Sequence, residues 1–189
     1  MDFWQVVESR HSVRDFSNEP LARESIERVL HAASLAPSVR NSQPWRFHVA
    51  TGVSRVRVGA VIAQTTAHIA EYMSVLGPEL YELTLKWFSE LGGAPAVIGV
   101  SIVPAEDELE SINTLLSTGT AIENLLLAAT AEGLAACNIT FLKWVTADLE
   151  SALQVSADRR IIAVIAVGHP GELPGTFPPK NVDIADWLD

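Results

Sequence analysis

Cysteine is almost missing from this chain. Cys137 stands alone among 189 residues, so no disulfide can form within the chain, and a reducing compartment is expected. Long apolar runs are missing too. The longest stretches, around Ala94–Val103 and Ile161–Gly168, fall far short of the roughly 20 residues that span a bilayer. Met1-Asp2-Phe3-Trp4 has neither the basic start nor the apolar run of a signal peptide. These absences predict a cytoplasmic protein with no membrane partner. Basic charge is scarce, with 13 Lys and Arg against 23 Asp and Glu and a formal net charge of −10. Nucleic acid and anionic surfaces attract excess Lys and Arg, so neither is an expected partner. Several fingerprints are absent as well. No G-x-G-x-x-G follows a strand, no Walker loop, H-E-x-x-H or EF-hand loop occurs, and no G-x-S-x-G elbow occurs. His11, His31, His48, His68 and His169 are scattered without ligand spacing, so no metal site is expected.

What is present is a globular composition, 48% hydrophobic and 19% charged. The length predicts one domain over residues 1–189 that buries its core without a staple. Charge is uneven along the chain: residues 1–57 hold eight of the 13 basic residues and only six of the 23 acidic ones. That bias fits either a local anion site or ordinary surface scatter.

Periodicity predicts helices over Asp2–Ser9, Arg23–Leu35, Ser54–Ala70, Glu79–Leu91, Ser111–Glu132 and Thr146–Leu153. Apolar runs predict strands over Arg46–Ala50, Ala96–Val103, Leu134–Phe141 and Ile161–Gly168. Gly133 is the expected cap of the long helix, and Cys137 is expected to be a buried, inert thiol. The tail after Gly171 is proline-rich, then amphipathic, with Val182, Ile184, Trp187 and Leu188. There is no internal repeat, and the pattern is one layered α/β or α+β domain.

Two polar segments carry chemistry. In an extended Arg10-His11-Ser12-Val13-Arg14, residues 10, 12 and 14 point the same way. Two guanidiniums and a hydroxyl so placed can hold a phosphate and the polar edge of a planar ring. The second segment, Pro37-Ser38-Val39-Arg40-Asn41-Ser42-Gln43-Pro44-Trp45, is stiffened by its prolines and offers the donors and acceptors of Ser38 and Asn41. Taken singly, the first also reads as a solvated turn and the second as a capped helix end followed by a turn.

In this order and spacing, the two segments resemble the nitroreductase family of FMN-dependent oxidoreductases. The resemblance extends to Gly133-Leu134 ahead of a strand ending near Thr140, to Ile162–Pro170, and to the late basic residue Lys180. It implies an α+β sandwich, with a central, mainly antiparallel sheet flanked by helices, in an intertwined homodimer with FMN at the interface. By resemblance, Arg10, His11, Ser12 and Arg14 contact FMN from one subunit, and Pro37, Ser38, Val39 and Asn41 from the other. Lys180 and Arg10 would meet the phosphate, and Ile139 and Thr140 would border the ring. Arg14 would stabilise the negative charge that reduction places near N1.

The implied reaction is ping-pong. NADH or NADPH reduces the flavin, whose N5 carries the hydride, and a small-molecule acceptor such as a nitroaromatic or quinone then reoxidises it. No side chain is expected to act as a catalytic acid or base. The family also implies alternatives: peptide-ring desaturation, flavin fragmentation, dehalogenation, or flavin binding without catalysis. Lys180 replaces the commoner Arg, Pro178 replaces a Lys found in some members, and Thr140 replaces an acidic residue found in others. Arg40 lines a substrate channel or faces solvent. Tyr72, Tyr81, Trp87 and Phe88 stack on substrate or pack in the core or dimer contact.

Overall fold

Alternation along the apolar strands decides the layering. The structure is a computed structural model that describes residues 1–68, 78–172, 180–181 and 183–188. Its main elements are α1 (Phe3–Ser9), α2 (Arg23–Ser34), β1 (Arg46–Thr51), α3 (Gly52–Ala63) and α4 (Pro78–Glu90), then β2 (Ala96–Ile102), α5 (Glu108–Ala131), β3 (Ala135–Ile139), α6 (Thr146–Ala152) and β4 (Arg160–Gly168). The strands form one sheet in the order β1-β2-β4-β3, and every pairing is antiparallel.

Successive strand residues face opposite sides of a sheet. Ala96, Ile98 and Val100 of β2 join Ala163, Ile165 and Val167 of β4 on one face, where α2 and α5 bring Ile26, Val29, Ile122 and Leu125. Val97 and Val164 enter a second core with Val58 and Ile62 of α3, Phe88 of α4 and Leu149 of α6. Helices therefore cover both faces. That is why β2 is buried at all seven positions and reads as an unbroken apolar run rather than an alternating one. The result is the expected α+β sandwich around an antiparallel sheet.

Local chemistry sets the ends of the elements. Asp2 and Gln5 form a reciprocal capping box at α1, each side chain accepting the other's backbone N–H at 2.9 Å. Asp107 caps α5 by accepting the Glu110 N–H at 2.9 Å, so the helix begins three residues before the expected Ser111. It ends as expected at Gly133, whose φ is +74°. There the Leu134 N–H reaches Ala129 O at 2.8 Å and the Gly133 N–H reaches Thr130 O at 3.0 Å. Because Leu134 belongs to this cap, β3 is shorter than the expected Leu134–Phe141. The helix expected over Ser54–Ala70 ends instead at Ala63, capped at Gln64; Ile69, Ala70, Tyr72, Pro178 and Val182 lie outside the described residues.

Candidate functional site

The segment after α1 is held as an extended strap by its backbone. The Val13 N–H donates to Ala136 O of β3 at 3.0 Å, Phe16 N–H to Gly92 O at 2.9 Å, and Ser17 N–H to His169 O at 3.0 Å. Phe16 is 6% exposed and packs with Ala94, Ala135 and Ala166. Gly92 passes so close beneath the strap that a Cβ there would run into the Arg14 carbonyl, and its φ of +60° also favours glycine. With Val13 half-buried against the core, Ser12 and Arg14 are left exposed.

The two arginines of the strap then part. Arg10 reaches α5, where its Nε lies 3.0 Å from a Glu123 carboxylate oxygen. The Arg14 guanidinium lies 6.0 Å from the centroid of the Trp87 ring on α4. His11 Nδ1 pairs with Ser9 O at 2.9 Å. The strap thus presents its cations at two separate points, an arrangement suited to an elongated ligand rather than a single compact anion.

The second segment is moored to α5. Thr120 Oγ1 donates to Pro37 O at 3.1 Å, and the Val39 N–H donates to Ser117 Oγ at 3.2 Å. Within the loop, the Gln43 N–H donates to Ser38 Oγ at 3.0 Å and Gln43 Nε2 to Asn41 Oδ1 at 2.9 Å. These bonds hold Arg40, Asn41 and Gln43 at φ values of +53°, +54° and +44°, a region that non-glycine residues seldom occupy. Val39, Arg40 and Asn41 are exposed. Both segments thus lean on α5, but no hydrogen bond or ion pair among the described residues joins one to the other.

The remaining predicted positions differ in setting. Ile139 is 4% exposed and packs in the core with Leu142 and Val164, whereas Thr140 is exposed at the end of β3. Lys180 is exposed, with no hydrogen bond or ion pair to the other site positions among the described residues. Cys137 is 2% exposed; burial pushes its thiol pKa up, an effect only partly offset by the Arg14 charge. It is buried, as expected.

Near these residues, two buried polar atoms lack partners among the described residues: Nε1 of Trp87, beside Arg14, and Oδ1 of Asn138, one residue before Ile139. Buried polar atoms are nearly always hydrogen-bonded. The orphaned indole donor beside an exposed guanidinium fits a planar group with a polar edge. Sequence reasoning missed Asn138, although an amide inside an apolar strand was its signal. It also missed the mooring residues Ser117 and Thr120, marked by polar spacing of three on a helix otherwise rich in apolar and small residues. Among the described residues, no group of three or more His, Cys, Asp or Glu could hold a metal ion, and no helix is long and apolar enough to cross a membrane.

The Nitroreductase family model matches residues 7–169, and the chain belongs to that family of oxidoreductases. Over 172 residues it is 33% identical to the 5,6-dimethylbenzimidazole synthase of Rhodospirillum rubrum, an alignment covering 86% of this chain and 79% of that one. It is 30% identical to the iodotyrosine deiodinase of Haliscomenobacter hydrossis, with 90% and 80% covered. Among solved structures, a nitroreductase with bound FMN from Desulfitobacterium hafniense matches the fold with a TM-score of 0.78 at 22% identity, covering 98% of this chain and 97% of that one.

Proposed function

We propose that residues 1–189 form one domain of a cytoplasmic, FMN-dependent oxidoreductase. It would take electrons from NADH or NADPH and pass them to a nitroaromatic, quinone or related acceptor in a ping-pong cycle. The observation that carries this reading is the rigid strap that presents Arg14 beside the Trp87 ring, whose buried Nε1 is left without a partner among the described residues. These residues fit FMN, which when bound would supply the hydride-carrying centre at N5.

The chain's own contribution is binding, orientation and charge. Arg14 provides a fixed positive charge at the polar edge of the ring, where electrons accumulate. Arg10 and Lys180 neutralise the phosphate, and His11 and Ser12 line the same side. Pro37, Ser38, Val39 and Asn41 approach from the partner subunit, with Ile139 and Thr140 bordering the ring. Ile139 would do so through its backbone, since its side chain lies in the core. The homodimer reading is supported by apolar surface that one chain leaves uncovered: Phe3 and Trp4 of α1 are 65% and 69% exposed, Leu116 of α5 is 67% exposed, and Trp187 of the tail is 90% exposed.

Anaerobic titration of the purified protein with NADH and NADPH tests this function. The expected protein is yellow and bleaches with one of them, and an oxidised acceptor restores the colour. Colourless protein that takes up no added FMN overturns the reading. Arg14→Ala is expected to slow reduction by about a hundredfold while the protein stays folded. A second reading, a specialised reaction on the same fold, is favoured by the identities to the synthase and the deiodinase. It predicts bound flavin that no acceptor in a nitroaromatic and quinone panel reoxidises faster than oxygen does. Loss of an iodine substituent from a halogenated phenol, or consumption of the flavin itself, would then identify the reaction.

A further inference from the structure

The end of the sheet remote from the strap holds a second concentration of cations. Gly92 and Phe16 lie near the start of β2, at Ala96. Ser101, near the other end, pairs with Arg46 of β1. At about 3.3 Å per residue the two ends are roughly 20 Å apart. There a cavity of about 480 Å³ opens, lined by Arg46 and His48 of β1 and by Gln154, Ser156, Asp158 and Arg159 of the α6–β4 connection.

Arg159 is fixed in place. Its Nε donates to Ser101 Oγ at 2.9 Å, and its Nη2 to Ser101 O at 2.7 Å and Pro44 O at 2.6 Å. Its Nη1 is not engaged by these bonds. His48 Nε2 lies 2.8 Å from the same Ser101 hydroxyl. When that hydroxyl donates to Nε2, the neutral imidazole carries its own proton on Nδ1, where it can donate to a ligand. Burial and the charges of Arg46 and Arg159 both disfavour a charged His48. Arg46 is exposed and has no ion-pair partner within 4.0 Å among the described residues. The one lining carboxylate, Asp158, is hydrogen-bonded by Ser156 and by its own backbone.

A chain of net charge −10 has therefore placed two guanidiniums in one cavity, where Arg46 disfavours the charge on Arg159, against a single carboxylate. Like charges so arranged are relieved by an external anion. We propose that this cavity binds a small anion bearing a carboxylate or phosphate group, gripped by Arg46 and Arg159 with His48 as a hydrogen-bond donor. The site is independent of the flavin reading, and none of its residues belongs to the strap or to the Pro37–Asn41 loop.

NMR of the purified, flavin-loaded protein tests the proposal. The His48 ring signals are assigned with His48→Gln. Inorganic phosphate and succinate are then titrated separately, at constant pH and at an ionic strength fixed with KCl. A saturable shift of the His48 signals is expected with at least one anion, weakened at least tenfold in Arg46→Ala and abolished in Arg46→Glu, with flavin content unchanged. Saturation by phosphate alone assigns a phosphate ligand, and saturation by succinate alone a carboxylate. A shift matched by KCl alone, or an affinity unchanged in both Arg46 variants, overturns the site.

Discussion

At one end of the sheet, Arg14 is exposed, 6.0 Å from the Trp87 ring centroid, and the residues around it are held by backbone bonds. At the other end, Arg159 is half-buried, with its Nε and Nη2 donating to Ser101 and Pro44. The strap gains its rigidity from main-chain pairing and a close glycine, which leaves its guanidinium available. The far end gains rigidity from the guanidinium itself, which ties the start of β1 to the end of β2. An arginine whose donors meet protein acceptors contributes mainly to stability. One positioned by its backbone can be removed at little cost to the fold, so its loss should register in ligand chemistry.

The largest effect expected from breaking this contrast lies under the strap. Gly92→Ala adds a Cβ that meets the Arg14 carbonyl, at a φ of +60°, so a loss of about 3 kcal/mol or more is expected in urea unfolding. A loss below about 1 kcal/mol would show that the strap is not backed by backbone contact. Next is Arg159→Ala, which strands the Pro44 and Ser101 acceptors and should cost about 2–3 kcal/mol by the same measurement. Arg14→Ala, by contrast, should shift stability by less than about 0.5 kcal/mol despite its effect on flavin reduction.

His48 sharpens the comparison through pH. Burial, Arg46 and Arg159 hold its pKa below the ordinary 6.5. Below that pH the unfolded chain takes up a proton that the native site resists. The stability contributed by a neutral His48 is thus full above about 6.5 and is lost as pH falls toward the folded pKa. Unfolding curves between about pH 7.5 and 5 should show a shallower decline in His48→Gln than in the parent. Parallel curves would remove the claim that Arg46 and Arg159 bear on this ring.

The layering was legible in the sequence because burial on both faces leaves a simple mark. Ala96–Val103 and Ile161–Gly168 read as apolar runs, within a residue of the strands at each end, and the Gly133 cap was visible from its position after a periodic helix. Strand order was not legible, since residues far apart in sequence set the β1-β2-β4-β3 pairing. At the site, the residue types of the strap and the loop were readable. Their mooring was not, because it depends on Ser117 and Thr120 from a helix some 80 positions away. Nor did Arg10 signal its partner: nothing local to the strap points to Glu123.

That pair gives the smallest and most discriminating effect. Arg10 Nε and the Glu123 carboxylate are 3.0 Å apart, but their side chains are 24% and 50% exposed, so water screens the attraction. Exposed pairs contribute about 0–1 kcal/mol, and Glu123→Gln should lower stability by no more than about 0.5 kcal/mol. The same substitution removes the only acid paired with Arg10 among the described residues and leaves its full charge for an anionic ligand. If Arg10 meets the FMN phosphate, the gain in affinity should be of similar size, about twofold, read as quenching of flavin fluorescence on adding apoprotein. Weaker FMN binding in Glu123→Gln would instead mean that Glu123 orients Arg10 for the ligand, and that the ion pair is part of the site rather than a competitor for it.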